Sequence, residues 1–323
     1  MLERTVFRLE ADDPFQVGRP NWNEIRRTMS ELRARDLVLL GMLYQHRYLS
    51  SRALGGLFWP SNTHRGAMKR LNELHADYRL LTRWQQLAPR RRGAASRRPY
   101  VYMLTARGAA LLAEAWGLDI KATIRRAWHA AHHPKRVHHD LAVSEFFTGL
   151  AVAAASWAGC GLYHWVGDDA MKRNHELVKG SLAPDSWGRL LLPNREIKLN
   201  LEWDAGTEGG LPLTSKLRLY AVQLPPGEHL LFVAPHAPRE QAIRQAVRYV
   251  LGGDVAGFPL LTSSVGTLKR EGQLGPAWTP IEDDSARLGL FELAGQPRTE
   301  LEVGWALAKP YWWERRPGGG EGA

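Results

Sequence analysis

The stretch Leu199-Asn-Leu-Glu-Trp-Asp-Ala-Gly-Thr-Glu208 reads as a buried strand that ends in carboxylates. Leu199, Leu201 and Trp203 alternate with Asn200, Glu202 and Asp204, which makes one face apolar and the other polar. A period of two puts Glu202 and Asp204 on the same face. Pro184-Asp185 stands seventeen residues before Glu202, after a short apolar run. Lys216 stands twelve residues after Asp204, early in a predicted helix over Leu213–Gln223. Two acids on one strand, a third on a neighbouring strand and a nearby lysine form a set that can hold a divalent cation. Hard cations such as Mg²⁺ or Mn²⁺ take oxygen ligands. Beside a phosphodiester, such an ion activates water and stabilises the departing oxygen.

Around this strand the pattern is α/β. Residues 140–157 form an apolar helix with Leu141, Phe146, Leu150 and Ala154 as core candidates; Glu145 on it is a candidate addition to the acidic set, though an ordinary surface role fits it better. Predicted strands follow at 160–166 and 182–185, and 190–193 leads by a turn into the acidic strand. After the Lys216 helix come an apolar strand at 229–234, a helix over 239–251 and an outer strand at 258–262. Helix, three strands, helix, strand is the order of a restriction-endonuclease-like core, a mixed sheet with helices on its faces.

The amino-terminal half carries a different pattern. Residues 1–27 mix charge with Pro14, Gly18 and Pro20 and read as a flexible arm. Thr28-Met-Ser-Glu31 has capping-box spacing, with Leu32, Leu39, Leu40 and Leu43 behind it. Ser50 or Ser51 caps a second helix, and Pro60-Ser-Asn62 opens a third that runs to about Tyr78. On the third helix Ala67, Leu71, Leu74 and Tyr78 share one face; Asn62, Arg65, Lys69 and Asn72 share the other. Strands at 80–84 and 100–104 enclose a loop with Arg90, Arg91, Arg92, Arg97 and Arg98, and Thr105 caps a helix to Trp116. Three helices, a strand, a basic loop, a strand and a helix is the order of a winged helix-turn-helix. Its third helix would enter a major groove, and its wing would cross phosphates. A solvated face explains Arg65 and Lys69 alone; five arginines on one loop call for an anionic partner.

Composition agrees. The chain has 323 residues, room for two domains, and a formal net charge of +10, which suits nucleic acid. Of the 43 basic residues 34 are Arg, the side chain that contacts phosphate bidentately, although a GC-rich genome gives the same bias. One cysteine, Cys160, excludes an internal disulfide framework. No apolar run approaches membrane-spanning length and the first residues lack a signal peptide's apolar core, so the expectation is a cytoplasmic protein without a membrane partner. His129, His132, His133, His138 and His139 raise a zinc site, but a polar linker explains them better, because zinc needs a defined ligand geometry. A nickase of the histidine-hydrophobic-histidine type needs an apolar residue between two histidines, and here the pairs are adjacent. Tyr311-Trp-Trp313 could stack on bases, but packing on the body explains it better.

Pro184-Asp185, Glu202-Trp-Asp204 and Lys216 resemble the PD-(D/E)xK nuclease core, with one departure: Asp204 stands where an active nuclease usually has Lys. Lys216 would supply that ammonium from the following helix. The longer string Glu202-Trp-Asp-Ala-Gly-Thr-Glu208 with Lys216-Leu-Arg-Leu-Tyr220, together with Tyr100-Val-Tyr-Met-Leu-Thr-Ala-Arg-Gly108, resembles the replication-relaxation family of plasmid and other mobile-element proteins. The resemblance implies a winged-helix DNA-binding domain (28–118) ahead of a PD-(D/E)xK nuclease-like domain (140–270); the residue pattern adds a flexible arm (1–27), a linker (119–139) and a carboxy-terminal extension with a disordered tail (271–323). It implies double-stranded DNA as ligand and protein partners from a replication, mobilisation or transposition complex. Asp185, Glu202 and Asp204 would hold Mg²⁺ or Mn²⁺, and Lys216 would position the phosphate for cleavage. The alternative is a non-catalytic DNA-binding factor with a degenerate nuclease fold, which the Asp at 204 favours.

Overall fold

Asn21 opens the first helix. Its side chain accepts the Glu24 N–H at 3.4 Å, and Ile25 turns into the core. Helix α1 therefore runs Trp22–Glu31, beginning inside the segment expected to be an arm (1–27) and running past its end. Thr28, expected as a cap, is buried within that helix, and Glu31 is its last residue. The next helix, α2 (Ala34–His46), begins where the Asp36 carboxylate accepts the Arg33 N–H at 2.9 Å. The structure, a computed structural model, describes residues 21–60, 64–85, 99–132, 137–167, 171, 183–204 and 213–297. It is mixed α/β and divides into two compact units, Met1–Thr148 and Gly149–Ala323.

In the first unit, strand β1 (Leu49–Ser50) leads into α3 (Ser51–Phe58), capped by the Ser50 hydroxyl, which accepts the Ala53 N–H at 3.0 Å. Helix α4 (His64–Asn72) continues into one π turn, Glu73–Asp77. Ala67, Leu71 and Leu74 are buried along its inner face, as their spacing predicts. Arg70 lies on α4 beside that face. It pairs with the buried Asp36 at 2.6 Å and with Glu73 at 2.7 Å, fixing α4 against α2. Strands β2 (Leu81–Gln85) and β3 (Tyr100–Leu104) pair antiparallel, and β1 joins the other edge of β3. Thr105 caps α5 (Ala106–Trp116) by accepting the Gly108 N–H at 3.0 Å, and Gly117 ends it in the left-handed conformation. A Cβ at Gly108 would lie 2.1 Å from the Leu80 carbonyl oxygen, so only glycine lets α5 and the start of β2 approach this closely. The expected linker, 119–139, carries helix α6 (Ile120–His132) and the start of α7 (Val137–Ala155). Tyr48, Trp84, Val101, Met103, Ala130 and Val137 bury that segment against the β2–β3 hairpin.

The second unit is built on a sheet in the order β4-β5-β6-β7-β8-β9. Strand β4 (Gly161–Gly167) pairs antiparallel with β5 (Ser186–Leu191), and β5 pairs antiparallel with β6 (Arg195–Trp203). The expected short strand at 182–185 is instead the approach to β5, so Asp185 precedes a strand rather than tipping one. From β6 the chain crosses through α8 (Leu213–Gln223) to the parallel β7 (Glu228–Ala234), then through α9 (Ala237–Val250) to the parallel β8 (Leu260–Ser264). Leu217 and Tyr220 of α8 and Ile243 and Val247 of α9 bury one sheet face against Leu230, Phe232 and Leu260. Each such buried aliphatic or aromatic side chain contributes about 1.5–3 kcal/mol by leaving water. After α10 (Val265–Glu271), strand β9 (Thr279–Pro280) pairs with β8 and β10 (Gln296–Pro297) with β6, so the expected extension joins the sheet. Tyr311-Trp312-Trp313 and the Gly-rich tail lie outside the described residues.

Candidate functional site

The polar face of β6 faces the helices of its own crossovers. Glu202 pairs in register with Phe232 of β7, whose side chain lies in the α8–α9 core, so Glu202 is buried on that same face. Two side chains from α8 meet it, one helical turn apart. The Lys216 ammonium pairs with one carboxylate oxygen, and the Tyr220 hydroxyl donates to the other. Asp185 reaches the end of β6 by accepting the Trp203 N–H at 2.9 Å. Burial first, and then the Asp185 charge, raise the proton affinity of Glu202. Lys216 and the Tyr220 hydrogen bond oppose them, and the carboxyl is pushed up to about 8. The Tyr220 hydroxyl is raised well above its ordinary value by burial and by the Glu202 charge.

Asp204 takes another partner. Its N–H continues the pairing with β7 by donating to the Val233 carbonyl at 2.9 Å, which keeps its side chain on the Glu202 face. The carboxylate, only 1% exposed, accepts the Arg239 Nε–H from the first turn of α9 at 2.5 Å. Among the described residues no three His, Cys, Asp or Glu side chains are grouped to hold a metal ion. This corrects the expected convergence of three carboxylates, because Asp204 is committed to Arg239. Asp185 and, once Lys216 leaves it, Glu202 would suit a hard cation, since Mg²⁺ binds through one or two carboxylates and keeps its waters. The Asp185 charge adds to burial in raising the proton affinity of Glu202, and that smaller, repulsive part is what a cation would relieve. Glu145 is elsewhere: it accepts the Ser50 hydroxyl in the first unit.

The α4 face is partly visible. Arg65, Lys69 and Asn72 are exposed. Asn72 accepts from Arg83 of β2, and the Arg83 guanidinium stands 4.2 Å from the centre of the Tyr100 ring on β3. That contact ties the outer face of α4 to the hairpin. Asn62, Arg90, Arg91, Arg92, Arg97 and Arg98 lie outside the described residues. Of the histidine run, His129 is exposed and edge-on to Trp128, and His138 is exposed; the side chains of His132 and His133 lie outside the described residues.

A family model for replication-relaxation proteins matches residues 40–223, just over half of the chain. The chain belongs to the replication-relaxation family. Membership points to a role associated with replication or mobilisation. The match includes Asp185, Glu202, Asp204, Lys216 and Tyr220, and stops short of Arg239. No curated protein and no solved structure matches the chain significantly. No helix among the described residues is long and apolar enough to cross a membrane.

Two side chains that hold the acids of this cluster, Tyr220 and Arg239, are not singled out by a reading of the sequence. Tyr220 has a signal, since it lies one turn beyond Lys216 and must share its helix face. Arg239 has none: it is thirty-five residues from Asp204, and only the parallel crossover brings them together.

Proposed function

We propose that this replication-relaxation protein binds double-stranded DNA through its first unit and carries a metal-dependent phosphodiester-cleaving site in its second. The observation that carries this reading is the meeting of Asp185, Glu202 and Lys216 at the end of β6. Asp185 and Glu202 would hold Mg²⁺ or Mn²⁺. When bound, such an ion supplies an activated water and charge neutralisation at the phosphate. Lys216, on leaving Glu202, offers its ammonium to a non-bridging phosphate oxygen. Tyr220 keeps the Glu202 carboxylate oriented and excludes water from its buried side. In the first unit, α4 presents Arg65 and Lys69 for base edges, and the arginine-rich loop between β2 and β3 supplies phosphate contacts.

The Asp204–Arg239 pair favours a second reading. An acid held by arginine stands where cleaving members of the wider nuclease group usually carry lysine, and Lys216 is already paired with Glu202. In that reading the fold is a non-catalytic scaffold for a replication or mobilisation complex. A supercoiled-plasmid assay with Mg²⁺ or Mn²⁺ decides between them. Nicking or linearisation by the wild type that disappears in Asp185→Ala supports cleavage. An intact plasmid at every metal concentration, with DNA binding retained, supports the scaffold.

A further inference from the structure

Two cations from successive helices, α8 and α9, pair with two acids at the end of β6. Lys216 is held by Glu202 and Arg239 by Asp204, and these acids are two strand positions apart, on the order of 7 Å. Both basic side chains keep contact with solvent, at 19% and 34% exposure, while both acids are buried. Arg239 meets Asp204 through Nε, and among the described residues its two Nη groups have no partner. Arg244, just over one turn further along α9, shows the contrast. It is buried and spends its N–H groups on Asp284, the Thr262 hydroxyl and the carbonyls of Thr279 and Pro280. Arg244 has the geometry of a structural arginine; Arg239 is anchored at one end with its fork left over.

We propose that Lys216 and Arg239 form a two-point clamp for neighbouring phosphates of a nucleic-acid strand, with Arg239 holding the phosphate next to the one at Lys216. This rests on the phosphodiester reading of the second unit. A guanidinium fork matches a phosphate bidentately, and an anchored one loses less freedom on binding. Asp204 is then a positioning residue that aims Arg239. The Arg239 guanidinium explains why a buried acid is tolerated at 204: it matches the charge of the carboxylate that orients it. Arg239 lies beyond the segment matched by the family model, so family membership does not assign it this role.

The test uses the full chain in an Arg90→Ala, Arg91→Ala, Arg92→Ala background, which weakens the first unit's phosphate contacts. The probe is a short fluorescent oligothymidylate. The neutral double variant Asp204→Asn, Arg239→Gln removes both charges and leaves no buried acid unpaired. It should bind the probe about tenfold more weakly, the loss of a charge-assisted contact. It should also lower the slope of log affinity against log salt by about 0.7. Arg239→Lys should recover the slope but not the full affinity. The proposal is overturned if the double variant melts like its parent and binds with equal affinity and slope. It is overturned also if the parent does not bind the probe. Should the double variant fail to fold, Arg239→Lys alone decides, and unchanged affinity sinks the clamp. Plasmid cleavage is scored separately: no cleavage, with binding that depends on Arg239, rejects the nuclease reading and leaves the clamp standing.

Discussion

Glu202 is an acid placed where acids are costly. Its carboxyl ordinarily titrates near 4.5 and is raised to about 8, so between these values the folded chain holds a proton that the unfolded chain has released. Stability from this group is complete below about pH 4.5 and is lost as pH rises toward 8. A tenfold change in proton affinity corresponds to about 1.4 kcal/mol, so the total loss is on the order of a few kcal/mol. Glu202→Gln cannot titrate, and its stability should change less between pH 5 and pH 8 than that of the wild type. Urea denaturation at the two pH values measures this, and parallel curves would remove the burden from Glu202. Gly108 is constrained for a different reason. Gly108→Ala drives a methyl group into the Leu80 carbonyl, with no flexible side chain to give way. A loss of several kcal/mol in the same denaturation experiment is expected, comparable to overpacking a core; a loss below about 0.5 kcal/mol would show that α5 can move away.

Helix α4 is amphipathic: its apolar face is buried and its exposed face carries Arg65 and Lys69. Arg70, next to Lys69 in sequence, is spent on Asp36 and Glu73 and is not available to DNA. Arg65→Ala or Lys69→Ala should reduce discrimination between a preferred site and random DNA by about 1–3 kcal/mol. Equal losses on every sequence would limit α4 to backbone contact. The loop between β2 and β3 should behave in the opposite way. Replacing Arg90, Arg91 and Arg92 by Ala should weaken all duplexes alike and flatten the salt dependence by about 0.9 per lost phosphate contact. An unchanged salt slope would take the loop out of the interface. The elements themselves are largely legible in the residue order. The 3.6-residue period of Ala67, Leu71 and Leu74, the Ser50 and Thr105 caps and the alternation of β6 are local patterns, and each is present in the fold. The start of the first expected helix is misplaced: Thr28 is buried inside α1, and Leu39, Leu40 and Leu43 belong to α2, which opens at Arg33, where the Asp36 carboxylate accepts the Arg33 N–H.

Metal linkage bears on the whole molecule. An ion that binds the folded chain through Asp185 and Glu202 should raise its melting temperature with Mg²⁺ or Mn²⁺ concentration. The ion competes with the proton on Glu202, so the gain should be larger at pH 8 than at pH 6. Asp185→Ala should abolish the gain, while Asp204→Asn, off the site, should leave most of it. A melting temperature indifferent to millimolar metal would reject the site, whatever the DNA-binding result. The mixed α/β class, the strand that carries Glu202, the helix that carries Lys216 and the resemblance to replication-relaxation proteins are all readable from residue order, because hydrophobic period and capping act over a few neighbouring residues. The partners of the acids are not. Side-chain alternation puts Glu202 and Asp204 on one face, but it cannot tell that α8 covers the first and α9 the second. That choice follows from the parallel crossovers between β6, β7 and β8, which lay two helices over successive positions of one strand. Pairing at a distance of thirty-five residues depends on where the packed sheet and helices bring the ends of the chain segments, and no local rule contains it.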